Sequence, residues 1–185
     1  MRNRKAVLLG GLALIAPMLA HAAAEREGWA VVRQPAPEFA VKDLAGRSLS
    51  SASLHGKLVV IDFWATWCAP CLKELPELAS WSDRLKDQKA VVFLSLNVTE
   101  DKDTVAAFVK SKQIAYPVYL GDSLLGPYEV NAFPTKLIID MRDKGRGTLR
   151  FRRDGYTEVR SIEARLKELL EEPLGAPASS RGNEP

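Results

Sequence analysis

The sequence predicts an α/β fold, a mostly parallel but mixed central sheet with helices on both faces. Three features carry that expectation. Leu58 to Ala65 is a nearly unbroken apolar, β-prone run, as in a central strand covered on both sides. A second such run, Val91 to Val98, follows a segment with helical spacing. The chain then closes with two strand-like runs and an amphipathic helix, an order that makes the sheet mixed.

The elements read in order as follows. Residues 25–39 are polar with Pro35 and Pro37, an extended lead-in. Phe39–Asp43 and Arg47–Leu49 flank a turn at Ala45-Gly46 and form a small hairpin. After the first buried strand, Leu72, Leu75, Leu78, Ala79 and Leu85 give a helical stripe, with Pro76 as a kink inside it. Asp101 to Lys112 is a second amphipathic helix, with Val105, Phe108 and Val109 on one face. Tyr116–Leu120 reads as a strand and Asp122–Glu129 as a short helix or turn. Thr135–Asp140 and Thr148–Arg153 are strands around a glycine-rich turn. In the second, Leu149 and Phe151 alternate with Arg150 and Arg152, which places it near an edge. Val159, Ile162, Leu166, Leu169 and Leu170 line a last helix that Pro173 stops, and residues 173–185 have a disordered composition. No internal repeat and no second domain is visible.

Composition excludes several classes. The chain has 185 residues, 46% hydrophobic and 26% charged, with two cysteines, so it is neither disordered nor a disulfide scaffold. Its formal charge is +3, but Arg2, Arg4 and Lys5 supply three positive charges, and the remainder is neutral. No nucleic-acid surface is expected from that balance. A basic head, an apolar run from Ala6 to Ala20 and the small-x-small end Ala20-His21-Ala22 form a secretory signal over residues 1–24. Cleavage is expected after Ala22 or Ala24, and the protein is expected in the periplasm or another exported compartment. Membrane contact is expected only if that segment is retained as an anchor. His55 is then the only histidine left, and it reads as a loop residue without catalytic role.

The chemistry sits in Trp67-Cys68-Ala69-Pro70-Cys71, where the first buried strand gives way to a helix. Cysteines three apart in a first helical turn share a face, and a small adjustment brings their sulfurs into bonding range. Unpaired N–H groups at the helix start favour thiolate at Cys68 and lower its pKa below the usual ~8.5. Cys71, one turn in, should be more buried and less acidic. Cys68 is then the attacking sulfur and Cys71 the resolving one. An inert bridge is a poor alternative, because so short a loop removes little chain entropy. A structural zinc site lacks its second ligand pair. No cofactor and no metal is expected.

The run "VVIDFWATWCAPCLKELPEL" resembles the active-site segment of thioredoxin-like proteins. With the signal segment, the "PAPEFAVKDLAGRSLSSASLHGK" lead-in and "NAFPTKLIID", the chain is most similar to the TlpA/ResA group of exported thiol–disulfide oxidoreductases, over residues 35–171. The resemblance implies a thioredoxin-like fold with an N-terminal hairpin and a central αβ insertion, which the long interval from Cys71 to Pro134 accommodates. It implies a cis Pro134 facing the pair, with Trp67, Phe133 and Thr135 as substrate contacts. It places Asp62 beneath the pair, as an aid to deprotonating the resolving thiol. The lysine that accompanies this aspartate in thioredoxin aligns with Ser95, a departure. Glu74 either influences the pair or sits solvated on its helix, and the residues leave both open.

Ala69-Pro70 adds no charge or hydrogen bond to the thiolate, so the expected direction is reduction of protein disulfides. The expected potential lies nearer roughly −270 mV than roughly −120 mV. The family's partners would be disulfide-bonded proteins and an inner-membrane electron donor. Its branch in cytochrome c maturation carries Glu-Pro where this chain has Ala69-Pro70. The main alternative is a Cu(I) metallochaperone using the same cysteines, with His55 as the one further ligand. A thiol peroxidase would need Pro and Thr where Ile61 and Ala65 stand.

Overall fold

The computed structural model describes residues 28–143 and 145–173. The signal segment and residues 174–185 of the tail lie outside them. Eight strands form one sheet: β1 (Ala30–Pro35), β2 (Ala40–Asp43), β3 (Ser48–Ser50), β4 (Leu58–Trp64), β5 (Val91–Asn97), β6 (Val118–Leu120), β7 (Thr135–Asp140) and β8 (Thr148–Asp154). Three helices accompany them: α1 (Ala69–Leu85), α2 (Lys102–Ser111) and α3 (Val159–Glu171). The sheet order is β1-β8-β7-β4-β5-β6-β2-β3. The pairs β4/β5 and β5/β6 are parallel, and all others are antiparallel.

β4 is the axis of the molecule, buried at every residue. Its alternating side chains divide the core. Val59, Ile61 and Phe63 point to one face with Leu94, Leu96, Leu137 and Ile139. Leu58 and Val60 point to the other, under Leu78 and Trp81 of α1 and Val159, Ile162, Leu166 and Leu169 of α3. Val105 of α2 packs with Trp64 on that same side. Among the described residues, the expectation of helices on both faces therefore holds for one face only. The opposite face is covered by the 3-10 turns Ser51–Leu54 and Asp122–Leu124 and by loop residues such as Phe39 and Tyr128. Those segments are too short to show helical periodicity.

Two further differences concern the edges. The polar lead-in contains β1, which pairs antiparallel with β8 from Ala30↔Arg152 to Pro35↔Thr148. Trp29 pins its start: the ring is buried, and Nε1 donates to Ser161 Oγ at 2.8 Å. Pro35 ends the edge strand, where a missing N–H costs little. β8 thus lies one strand in from the edge, and Arg150 is drawn into ion pairs with Glu172 and Asp140. The hairpin is closed by Asp43 Oδ1, which accepts from Ala45 N and Arg47 N, and by Gly46 at φ +84°. It extends the other end of the sheet through β2/β6 pairing.

Candidate active site

Cys68 is the N-cap of α1, with an extended backbone (φ −84°, ψ 97°), and Pro70 occupies the first turn. Helical structure begins at Ala69, ahead of the apolar stripe and in keeping with the pair's expected place in the first turn. The Cys71 N–H donates to Cys68 Sγ at 3.3 Å. Cys68 and Cys71 form a disulfide with a Cα–Cα distance of 5.2 Å. Cys68 is 5% and Cys71 1% exposed, so both residues are shielded, Cys68 the less so.

The rim is apolar. Trp67 is 63% exposed and meets Phe133 edge to face, with ring centroids 5.9 Å apart. The Phe133–Pro134 peptide bond is cis, and the Pro134 carbonyl accepts from Gly155 N at 2.7 Å. Thr135 is fully buried, its hydroxyl in reach of Ala132 O (2.8 Å) and Asp154 Oδ1 (2.7 Å). Its side chain is therefore committed inward, away from the rim that Trp67 and Phe133 share.

A buried charged cluster is centred on Glu74, one helical turn beyond Cys71. Asp62 faces the helix side of β4 and stands opposite Lys136 in the β4/β7 register. Lys136 Nζ is 3.1 Å from Asp62 Oδ1 and 2.5 Å from Glu74 Oε2. Lys136 thus supplies the cation that Ser95 cannot, while Ser95 Oγ accepts from Trp64 Nε1 at 2.8 Å. The other Glu74 oxygen accepts from Thr157 N at 2.7 Å. Burial pushes the Glu74 carboxyl up to about 7, helped by the Asp62 charge and opposed by Lys136. Burial works against the Lys136 charge, but the two carboxylates outweigh it and hold the ammonium above its ordinary pKa. Glu74 is thus a buried partner of the cluster, not a solvated side chain.

Glu100 is a site residue that sequence reasoning missed. Its carboxylate accepts from Thr66 N (2.7 Å), Thr66 Oγ1 and Asn97 Nδ2 (2.9 Å), and so ties the loop before Cys68 to the end of β5. Neighbouring Thr99 has φ +65°, uncommon for a β-branched residue.

Residues 32–144 match the AhpC/TSA family. The chain belongs to the AhpC/TSA family. Within this AhpC/TSA chain, 142 residues are 33% identical to the thiol-disulfide oxidoreductase ResA of Bacillus cereus, covering 76% of this chain and 75% of the relative. ResA of Bacillus subtilis is 37% identical over 111 residues, 59% of this chain and 62% of the relative. A crystal structure of a thioredoxin-family thiol:disulfide interchange protein from Chlorobium tepidum superposes with a TM-score of 0.64 at 27% identity. The match covers 75% of this chain and 97% of that one. The fold is thioredoxin-like, and the protein is a thiol–disulfide oxidoreductase.

This AhpC/TSA member lacks the peroxidase pattern, since Ile61 and Ala65 are both buried apolar residues. The copper alternative is not favoured either. His55 precedes β4 whereas Cys68 follows it, and the seven residues of that strand span about 20 Å. Among the described residues, no three His, Cys, Asp or Glu side chains group as a metal site.

Proposed function

We propose that this protein reduces disulfides of exported proteins through a Cys68/Cys71 dithiol cycle. The observation that carries the reading is the position of Cys68 at the N-cap of α1, with the Cys71 N–H aimed at its sulfur. In the reduced protein that N–H and the helix terminus favour thiolate at Cys68. The thiolate attacks one sulfur of a substrate disulfide, a mixed disulfide forms, and the other substrate sulfur leaves as a thiolate that takes up a proton. Cys71 then gives up its proton and attacks Cys68 Sγ, which releases the second substrate thiol. Two electrons have passed to the substrate, and the protein is left oxidised, as in the structure. A dithiol donor, inferred from the family to be an inner-membrane conduit, returns the electrons.

The apolar rim supports the substrate assignment. Trp67 and the half-buried Phe133, held by the cis peptide before Pro134, offer apolar rings to a substrate segment, with Thr135 behind them as support. Ala69 and Pro70 give the thiolate no further help, which supports a low potential and the reducing direction. Export rests on the signal segment. No helix among the described residues is long and apolar enough to cross a membrane. The disulfide of an oxidised apocytochrome c is one fitting substrate class, by the likeness to ResA. The test is Cys71→Ser expressed in the native host. The expected result is protein adducts held on Cys68 by a reducible bond, and recovery of no adducts from actively respiring cells overturns the reading.

A further inference from the structure

Arg152 and Asp154 stand two apart on β8, so their side chains share one face of the sheet. It is the face of Leu137, which lies opposite Arg152 in the β7/β8 register. The guanidinium is divided between two tasks. Its Nε lies 3.1 Å from each Asp154 carboxylate oxygen. Its Nη1 donates to Tyr128 O at 2.9 Å and its Nη2 to Glu129 O at 3.1 Å. Burial works against the Asp154 charge, but Arg152 and Thr135 outweigh it and hold the carboxyl below its ordinary range. The carboxylate therefore anchors the near end of the guanidinium while the fork reaches a neighbouring segment.

That segment leads to the active site. The Tyr128 and Val130 N–H groups donate to Leu124 O and Leu125 O, in the turn before them. The Tyr128 and Glu129 carbonyls lie outside any strand, and Arg152 serves both. Glu129 has φ +51°, a left-handed backbone that a residue other than glycine holds only where its surroundings fix it. Three residues on, Ala132 O lies 2.8 Å from Thr135 Oγ1, which is itself 2.7 Å from Asp154 Oδ1. Asp154 thus braces both ends of the segment, one through Arg152 and the other through Thr135. The next residue is Phe133, whose ring meets that of Trp67, the neighbour of Cys68.

We propose that Arg152 is a positioning residue for substrate recognition: braced by Asp154, it holds the Tyr128–Ala132 segment so that Phe133 meets Trp67 and the two rings form one rim. The proposal rests on the reductase reading above. The positive charge of Arg152 is matched by Asp154 and spent on backbone carbonyls, so the residue shapes the rim without adding a cation to it. Its effect falls on the binding of an extended substrate and not on the sulfur exchange.

The test compares wild type, Arg152→Met, Phe133→Ala and the double variant, with oxidised insulin and a small aromatic disulfide as substrates. Arg152→Met keeps the apolar stem and removes every donor. The expected result is a KM for insulin about fivefold higher in Arg152→Met, the worth of an aromatic contact. Its kcat should stay within about twofold, since uniform binding is what is lost. The small disulfide, which needs no rim, should turn over as in wild type. Phe133→Ala has already lost the rim, so adding Arg152→Met should raise KM no further. An unchanged KM in Arg152→Met, increases that add in the double variant, or an equal loss with both substrates overturns the proposal. A second readout needs no turnover. The Trp67 indole N–H resonance of the oxidised protein feels the ring current of Phe133. Arg152→Met should move it toward its position in Phe133→Ala, and a resonance that stays in place overturns the proposal. If Arg152→Met does not fold, Asp154→Asn, which frees the guanidinium, takes its place with the same outcomes. Failure of the reductase reading looks different: wild type would then reduce neither substrate, and the resonance alone decides whether Arg152 sets the rim.

Discussion

Replacing Glu74 by Gln removes a buried charge while keeping the side chain's shape, and the consequence for stability can be worked out. In the folded protein, burial raises the Glu74 carboxyl to about 7 from its ordinary 4.5. Below 4.5 both folded and unfolded chains hold the proton, so the group gives no pH dependence. Between 4.5 and 7 the unfolded chain releases the proton and the folded chain keeps it, so stability falls as pH rises. Above 7 the loss is complete, at about 3 kcal/mol. With a urea m-value of about 2 kcal/mol/M, the unfolding midpoint of wild type should drop by about 1.5 M across that window. Glu74→Gln should lose most of that drop, keeping only the smaller fall that comes from Glu168, whose carboxyl burial also raises. It should also carry a pH-independent cost of about 1 kcal/mol, since one amide oxygen cannot accept from both Lys136 and Thr157. The assay is urea unfolding of the oxidised protein followed by fluorescence from pH 4.5 to 8. Asp43, Asp101, Asp140 and Asp154 titrate below the ordinary carboxylate range and so stay out of the window. Parallel wild-type and variant curves would refute the reasoning.

Glu100→Ala strands the Thr66 N–H and the Asn97 amide. It should cost about 2 kcal/mol in chemical unfolding and slow insulin reduction. Trp67→Ala removes a mostly exposed ring, so stability should stay within about 0.5 kcal/mol. The KM for protein disulfides should rise while turnover of a small aromatic disulfide is kept. Asp140 is held below the ordinary carboxylate range despite burial, by Arg142 and Arg150. Its stabilisation is present above pH ~4 and lost as pH falls through the folded pKa. Asp140→Asn should therefore be less stable than wild type at pH 7, with the gap closing in acid unfolding once the pH falls below the ordinary carboxylate range.

What could be read from the sequence was what is local. The Cys68-to-Cys71 spacing, the apolar β4 and the stripe of α3 each declare themselves within a dozen residues. The hidden features are products of pairing between distant segments. Lys136 looks misplaced among the buried residues of β7 until the antiparallel register sets it against Asp62, 74 positions earlier. Glu74 could be assigned to solvent or site only once Thr157 and Lys136 closed over it. β1 escaped notice because an edge strand carrying Arg33, Gln34 and Pro35 needs no apolar pattern on its outer side. Glu100 lies three residues past the end of β5, where an acidic residue reads as ordinary turn chemistry, and only the fold brings Thr66 to it.

The asymmetry of the two sulfurs is the claim on which the catalytic cycle stands. Iodoacetamide alkylation of the reduced protein, resolved by peptide mass spectrometry at each pH from 5 to 10, measures it directly. A helix terminus is worth up to ~2 kcal/mol, about one and a half pKa units. The Cys68 rate should therefore reach half-maximum near pH ~7, while Cys71 stays unreactive until above ~8.5. Two superimposed curves, both rising only in the alkaline range, would contradict the account.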